Sequence, residues 1–254
     1  MIDHDKNVGE ILKALDDLGI ADNTFVMYST DNGPHMNSWP DAAMTPFRNE
    51  KNSNWEGAYR VPAMFRWPGK IKPGQVSNEI VSHLDMLPTI LAIASDLDVK
   101  DKLLKGYTVG DVTYKVHLDG DNLVPYLTGQ SDKSPRDSFF YINDDQQLTG
   151  LRYDNWKIVF LEQRAPGTLL VWANPFTNLR VPKIFNLRTD PYERADITSN
   201  TYYDWSLDHT FLLVPAQDYV GKFLATLKDY PPRQKAASFN LDDVMREMTE
   251  SGAK

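Results

Sequence analysis

The sequence predicts an α/β fold, in which a mixed sheet flanked by helices is followed by a smaller antiparallel sheet with a packed helix. Across residues 2–19, apolar side chains recur at three- and four-residue intervals, the period of one helical face, and Gly19 stands where helices often end. Residues 24–29, TFVMYS, are mostly apolar, which is typical of a parallel strand covered on both faces. Few further helix–strand units follow, so we expect strands outside this chain to complete the first sheet.

The second half of the chain has the pattern of short antiparallel strands separated by turn residues. These strands are predicted in DSFFYIN, QQLTGLRYDNWKIVFLEQR and RVPKIFNLRTDPYERADI. In DYVGKFLATLKDY the apolar residues Val220, Phe223, Leu224 and Leu227 predict an amphipathic helix that faces this sheet. The segment NLDDVMREM predicts a final short helix that begins after Asn240.

Composition limits the classes of function. The chain has 254 residues, of which 41% are hydrophobic and 24% charged, enough to bury a core in one large or two smaller domains. No apolar run approaches the length of a membrane-spanning helix, and a net charge of -8 argues against nucleic-acid binding. The absence of cysteine excludes disulfides, thiolate metal sites and a cysteine-derived nucleophile within these residues.

The segment TDNG directly follows the apolar strand and places an acid, an amide and a glycine side by side. Ligand sites in parallel sheets form beyond the carboxyl ends of the strands. Asp31 and Asn32 offer oxygen donors of the kind that Ca²⁺ and Mg²⁺ prefer, and Gly33 is expected to allow a sharp turn beside them. Asn-Gly is also typical of a hairpin turn, but residues 34–51 form a long irregular segment instead of a second strand. The pattern therefore favours a metal site.

Several ordered motifs extend beyond this segment: YSTDNGP, PFRNEKNSNWEGAYRVPAMFRWPG, HLDMLPTILAIA and FNLRTDPYERADI. Together they resemble the C-terminal half of the sulfatase family, bacterial arylsulfatases in particular, within the alkaline phosphatase superfamily. The resemblance implies that residues 1–135 are the C-terminal portion of the α/β catalytic domain and residues 136–254 a smaller subdomain of antiparallel strands and helices. It also implies a hydrolase of sulfuric esters, whose substrates are small molecules or glycans, in a family whose members are often periplasmic or secreted.

The resemblance also implies roles for individual residues. Asp31 and Asn32 match the acid–amide pair that completes the family's calcium site, which Mg²⁺ could also occupy. Lys51 matches the lysine that binds the sulfate group, where a fixed ammonium would stabilise the charge that gathers on the sulfate oxygens during catalysis. His35 lies in the same loop and either contacts the substrate or faces solvent. Glu56 is expected to hold the loop without touching the substrate.

The family's nucleophile is a formylglycine made from cysteine or serine in a Cys/Ser-x-Pro/Ala-x-Arg motif, which these 254 residues do not contain. The paired aspartates of the calcium site are also absent. We therefore expect the missing N-terminal half of the same fold to supply both, and this chain alone to be inactive. The alternatives are a non-catalytic remnant or binding module, and a phosphatase or phosphodiesterase of the same superfamily. The phosphatases commonly carry Asp-His in place of Asp31 and Asn32, because imidazole suits zinc, so Asn32 favours calcium.

Overall fold

The computed structural model describes residues 2–41, 43–238, 245 and 248–249. The helices are α1 (Ile2–Asp17), α2 (Glu56–Tyr59), α3 (Met86–Ile93), α4 (Val99–Lys105), α5 (Val124–Leu127), α6 (Leu170–Ala173), α7 (Ala195–Thr198), α8 (Tyr202–Asp208) and α9 (Leu213–Asp229). The strands are β1 (Val26–Ser29), β2 (Ala63–Arg66), β3 (Tyr107–Val109), β4 (Val112–Tyr114), β5 (Ser138–Ile142), β6 (Leu148–Tyr153), β7 (Trp156–Glu162) and β8 (Thr177–Asn186). In these ranges no helix is both long and apolar enough to cross a membrane. The final helix predicted after Asn240 falls almost wholly outside the described residues.

Helix α1 ends as the sequence predicts. Gly19 has a φ of +67°, and the amide of Ile20 donates to the carbonyl of Leu15 at 3.1 Å, which is the capping bond that a glycine at this position allows. None of the described residues of α1 is buried; along its apolar stripe Ile11 is exposed, and Val8, Leu12 and Leu15 are half-buried. The helix is therefore formed by local signals more than by packing within this chain.

Strand β1 lies where the sequence places it, but its pairing differs from the prediction of a parallel neighbour. It pairs with β2 in antiparallel register, with Val26 opposite Arg66 and Ser29 opposite Ala63. Among the described residues this pair forms a sheet of its own, with neither a parallel ladder nor a third strand. All four β1 residues are only half-buried, so the apolar run does not mark the interior of a sheet that this chain builds alone.

The second half forms the predicted antiparallel sheet, with four strands in the order β5-β6-β7-β8. Helix α9 covers one face, where Leu151, Ile158 and Ala216 belong to one buried cluster. Phe223 of α9 stacks on Phe140 of β5 with ring centroids 4.3 Å apart. Of the four helix residues expected to face the sheet, Leu224 is instead 48% exposed.

A second core joins this sheet to the loop between β1 and β2. Trp55 is completely buried and packs in one cluster with Val159, Phe185 and Tyr202. Its indole N–H donates to the carbonyl of Gln163 at 3.0 Å. This core contains residues from both sides of the domain boundary expected between residues 135 and 136. The boundary itself stays a prediction. The four-stranded sheet thus fixes the loop that carries the candidate site.

Candidate functional site

A cavity of about 760 Å³ opens at the end of β1. Asp31, Asn32 and Lys51 all line it, and the four-stranded sheet contributes Phe139 and Arg152 to its wall. The sequence predicts that β1 delivers Asp31 and Asn32 to a cavity shared with Lys51, and the structure brings the three side chains together in this way.

The turn after β1 orients the two candidate metal ligands. The Oδ1 atom of Asp31 accepts the backbone N–H of Asn32 at 3.0 Å and the hydroxyl of Thr30 at 3.3 Å. Asn32 donates its side-chain amide to the carbonyl of Gly33 at 2.9 Å, so its nitrogen is engaged within the turn and its oxygen is the atom suited to a cation.

These two residues offer the type of donor atom that calcium binds, but fewer donor atoms than calcium needs. Carboxylate and amide oxygens are the donors that Ca²⁺ takes, and it takes about six to eight of them. In the part of the chain that the structure describes, no group of three or more His, Cys, Asp or Glu side chains is arranged to hold a metal. Asp31 and Asn32 can therefore form only part of a calcium site.

Gly33 lies in the bend after β1, as expected, and it also serves a close approach of backbones. Its φ lies outside the left-handed region that favours glycine. Its N–H donates to the carbonyl of Ala58 at 2.8 Å, and a Cβ at this position would lie 1.7 Å from the carbonyl oxygen of Gly57. A Cβ on Gly57 would in turn lie 2.1 Å from the carbonyl oxygen of Asn49. The two glycines therefore let the metal-ligand turn, α2 and the preceding loop touch.

Lys51 lies beside this turn because its N–H donates to the carbonyl of Pro34 at 3.1 Å. Its ammonium lies 5.9 Å from the ring centroid of Trp172, within the range of a cation–π contact. Within residues 2–41, 43–238, 245 and 248–249, no carboxylate lies within 4.0 Å of Lys51 Nζ. A cation that lines a cavity without a carboxylate partner is suited to an anionic ligand.

His35 lies near Lys51 but is absent from the described residues that line the cavity. Its Nε2 accepts the indole N–H of Trp172 at 3.2 Å and lies 3.9 Å from Oε2 of Glu50. The contact between His35 and substrate stays a prediction.

Trp172 contacts Lys51 and His35, although it is absent from the described residues that line the cavity, and the sequence does not single it out. It belongs to the short helix α6, which the amide of Gln163 holds by donating to the carbonyls of Val171 at 3.1 Å and Asn174 at 2.9 Å. No motif surrounds Trp172, and its place beside Lys51 depends on how residues 163–174 fold back. The signal in the sequence is a tryptophan in the short apolar run LLVWA, which follows the Pro-Gly pair of QRAPGTLLVWAN.

A buried group of charges lies behind the loop. Lys157 Nζ lies 2.7 Å from Oε1 of Glu193 and 3.1 Å from Oε1 of Glu56, and all three side chains are buried. Burial raises the pKa of Glu193 to about 7. Burial alone would also raise the pKa of Glu56, but the charge of Lys157 and the hydroxyl of Tyr141 hold it below its usual value. These contacts fit the structural role expected of Glu56.

Comparison with known proteins relates both the sequence and the fold to one family. Residues 3–97 match the family model described as Sulfatase. Human N-acetylgalactosamine-6-sulfatase is 31% identical over 237 residues, which cover 84% of this chain and 42% of that protein. Bovine arylsulfatase A is 32% identical over 208 residues, which cover 78% of this chain and 38% of that protein.

A solved structure extends the likeness to the fold. The PsFucS1 sulfatase from Pseudoalteromonas sp. superposes with a TM-score of 0.70 at 28% identity, over 88% of this chain and 41% of that one. The predicted fold class, the C-terminal part of such a fold, is confirmed. The chain spans about two fifths of the length of these three relatives.

Proposed function

This chain is related to the sulfatase family over most of its length, and we propose that it forms the calcium- and sulfate-binding part of a hydrolase of sulfuric esters. The observation that carries the proposal is the shared cavity, which Asp31, Asn32 and Lys51 line together at the end of β1.

Lys51 binds the sulfate group of the ester. Hydrolysis gathers negative charge on the sulfate and leaving-group oxygens, and a positioned ammonium stabilises that charge. Its lack of a carboxylate partner among the described residues supports this role, because a salt bridge would compete with the sulfate.

Asp31 and Asn32 hold a calcium ion, or Mg²⁺ in its place. When bound, the cation neutralises charge on the sulfate and helps to orient it. Residues other than these two must complete its coordination, and the N-terminal half expected from the family is their source.

The nucleophile also comes from outside this chain. The formylglycine motif does not occur in these 254 residues, and an ordinary serine or threonine lacks the geminal hydroxyl that later expels the sulfate. The chain alone therefore binds a sulfate ester without turning it over. The names of its relatives, an N-acetylgalactosamine-6-sulfatase and an arylsulfatase, leave both sugar and aryl sulfates as substrates.

Calorimetric titration of the 254-residue chain with methyl sulfate tests the assignment of Lys51. We expect Lys51→Ala to weaken binding by about tenfold or more, since a charge-assisted contact to the anion is lost. Lys70→Ala is the matched control, because Lys70 is an exposed lysine that does not line the cavity. Equal affinity in the Lys51 variant and the Lys70 variant would contradict the assignment.

An assay with p-nitrophenyl sulfate separates binding from catalysis. With calcium present, we expect the chain to show no turnover above its Lys51→Ala variant. Turnover clearly above that control would mean that a nucleophile lies within this chain.

A further inference from the structure

The ring of Trp172 lies half exposed beside the candidate sulfate-binding lysine. Its side chain is 50% exposed, and Lys51 Nζ lies 5.9 Å from its ring centroid. A tryptophan left open to solvent loses the free energy that burial of its ring would provide. Its exposure is therefore informative beside a lysine that has no carboxylate partner among the described residues.

The polar edge of this indole is already engaged. Its N–H donates to Nε2 of His35 at 3.2 Å, and the two rings meet edge to face with centroids 6.2 Å apart. With its N–H engaged, the rest of the indole ring offers an apolar surface, and the hydrogen bond helps to orient the ring.

The segment beneath Trp172 is also held in place. The adjacent Val171 is buried, and its carbonyl accepts the side-chain amides of Gln163 at 3.1 Å and of Asn52 at 3.5 Å. Asn52 directly follows Lys51 in the chain, so the ring and the lysine are anchored to each other.

A buried carboxylate joins the two loops on either side of the ring. Glu50 is fully buried and accepts the backbone amides of Met36, next to His35, and of Thr168, which precedes α6. Trp172, His35 and Lys51 are thus presented on a common support, and ordering them costs little free energy when a ligand binds.

We propose that Trp172 is a stacking platform for the pyranose ring of a sulfated sugar whose sulfate group is bound by Lys51. This inference rests on the proposed function and specifies its substrate class. A pyranose has a face of C–H groups, which packs on the flat apolar ring, and a rim of hydroxyls, which need hydrogen-bonding partners. His35, Lys51 and Asn52 supply polar groups around the platform, whereas a steroid would require an apolar enclosure.

Comparison of a ring-bearing with a ringless sulfate ester tests the platform. We would titrate the 254-residue chain with N-acetylgalactosamine 6-sulfate and with methyl sulfate. We expect Trp172→Ala to weaken binding of the sugar sulfate by about five- to tenfold and to leave methyl sulfate within about twofold. Trp172→Phe keeps an aromatic face without the indole N–H and should recover most of the sugar affinity.

Phe211→Ala serves as the matched control. Phe211 is 63% exposed and its ring centroid lies 5.8 Å from that of His209. In the part of the chain that the structure describes, no contact joins Phe211 to Lys51 or His35, so its removal should leave both affinities unchanged. If Trp172→Ala lowers the affinity for both ligands to the same extent, Trp172 acts only by supporting Lys51, and the platform is overturned. So would unchanged affinity for the sugar sulfate.

Two further outcomes separate this inference from the proposed function. If Lys51→Ala weakens both ligands while Trp172→Ala weakens neither, the sulfate site stands and only the platform is lost. If the chain binds neither ligand, or if Lys51→Ala changes neither affinity, both proposals fall. If Trp172→Ala weakens the binding of estrone sulfate but not that of the sugar sulfate, the platform binds a steroid and the assignment of a sugar is overturned.

Discussion

The backbone amide of Gly33 donates to the carbonyl of Ala58 at 2.8 Å, which joins the turn of Asp31 and Asn32 to helix α2. Helix α2 is tied in turn to the four-stranded sheet, because Lys157 of β7 contacts the carboxylate of Glu56 at 3.1 Å. The position of the candidate metal ligands therefore depends on a sheet that lies far along the chain.

Gly33→Ala should break this connection. A Cβ at Gly33 would lie 1.7 Å from a backbone oxygen, which cannot move as a flexible side chain can. We expect the free energy of unfolding in urea to fall by about 1–3 kcal/mol or more. Gly221→Ala in α9 is the control: its new methyl group meets nothing within 4 Å, and alanine should raise stability by about 0.5–1 kcal/mol. Equal stability of the Gly33 variant and the unchanged chain would contradict the close approach.

Stability should fall as pH rises from about 4.5 to about 7. The carboxyl of Glu193 has an ordinary pKa of 4.5 but a pKa of about 7 in the folded chain, chiefly because it is buried. Between these values the folded state holds a proton that the unfolded state has lost, so the free energy of unfolding decreases with pH. A shift of this size corresponds to about 3 kcal/mol at most. Urea unfolding across this pH range measures the effect.

Glu193→Gln isolates the contribution of this carboxyl. The variant cannot ionise, so the dependence of stability on pH between 4.5 and 7 should become flatter whatever its absolute stability. Glu10→Gln, on the exposed helix α1, should keep the original slope. An unchanged slope in Glu193→Gln would mean that other groups cause the pH dependence.

Loss of the buried ion pair between Asp85 and Arg136 should be costly. The guanidinium contacts the carboxylate through Nε at 2.9 Å and Nη2 at 2.5 Å, and both side chains are buried. Asp85→Ala leaves a buried cation without its partner, so we expect unfolding to become easier by about 3–5 kcal/mol. Asp218→Ala breaks an exposed pair with Lys222 and should cost about 0.5 kcal/mol or less in the same urea titration. Similar losses in the two variants would contradict this ranking.

Metal preference should follow the donor atoms after β1. In the protein completed by the expected N-terminal half, Asp31→Ala removes a charged oxygen ligand and should weaken calcium binding by about tenfold or more, as followed by calorimetry. Asn32→His replaces an oxygen by an imidazole nitrogen and should shift preference toward zinc. Asp111→Ala, an exposed acid between β3 and β4, is the control. Unchanged calcium affinity in Asp31→Ala would reject it as a ligand.

Local features of the fold could be predicted from the sequence. The end of α1 at Gly19 follows from helical spacing and one permissive residue, and the antiparallel sheet follows from repeated short strands with turns. The pairing of β1 could not, because its partner Ala63–Arg66 is a short segment separated from it by a long loop. No local feature of the sequence indicates which distant segment pairs with a given strand.

The residues of the candidate site could likewise be predicted only in part. Asp31, Asn32 and Lys51 fall in contiguous motifs and could be found, whereas Trp172 reaches Lys51 only through the folding of α6 onto the loop. The burial of Lys157 between two glutamates was equally hidden, since lysine and glutamate in a sequence are typical of solvated positions. The sequence indicates that Gly33 is needed, but its contact with another backbone is a property of the folded loop.

The central claim, that Asp31, Asn32 and Lys51 form one site for a cation and a sulfate ester, is tested most directly by thermodynamic coupling. The affinity for methyl sulfate would be measured with and without Ca²⁺ in the chain combined with the N-terminal half that the proposal expects to complete the calcium site, with Asp31 unchanged and in Asp31→Ala. Because a bound cation beside the sulfate favours the anion, we predict that calcium raises the affinity by about fivefold or more and that Asp31→Ala abolishes this increase. Equal affinity with and without calcium, or an increase that persists in Asp31→Ala, would contradict a shared site.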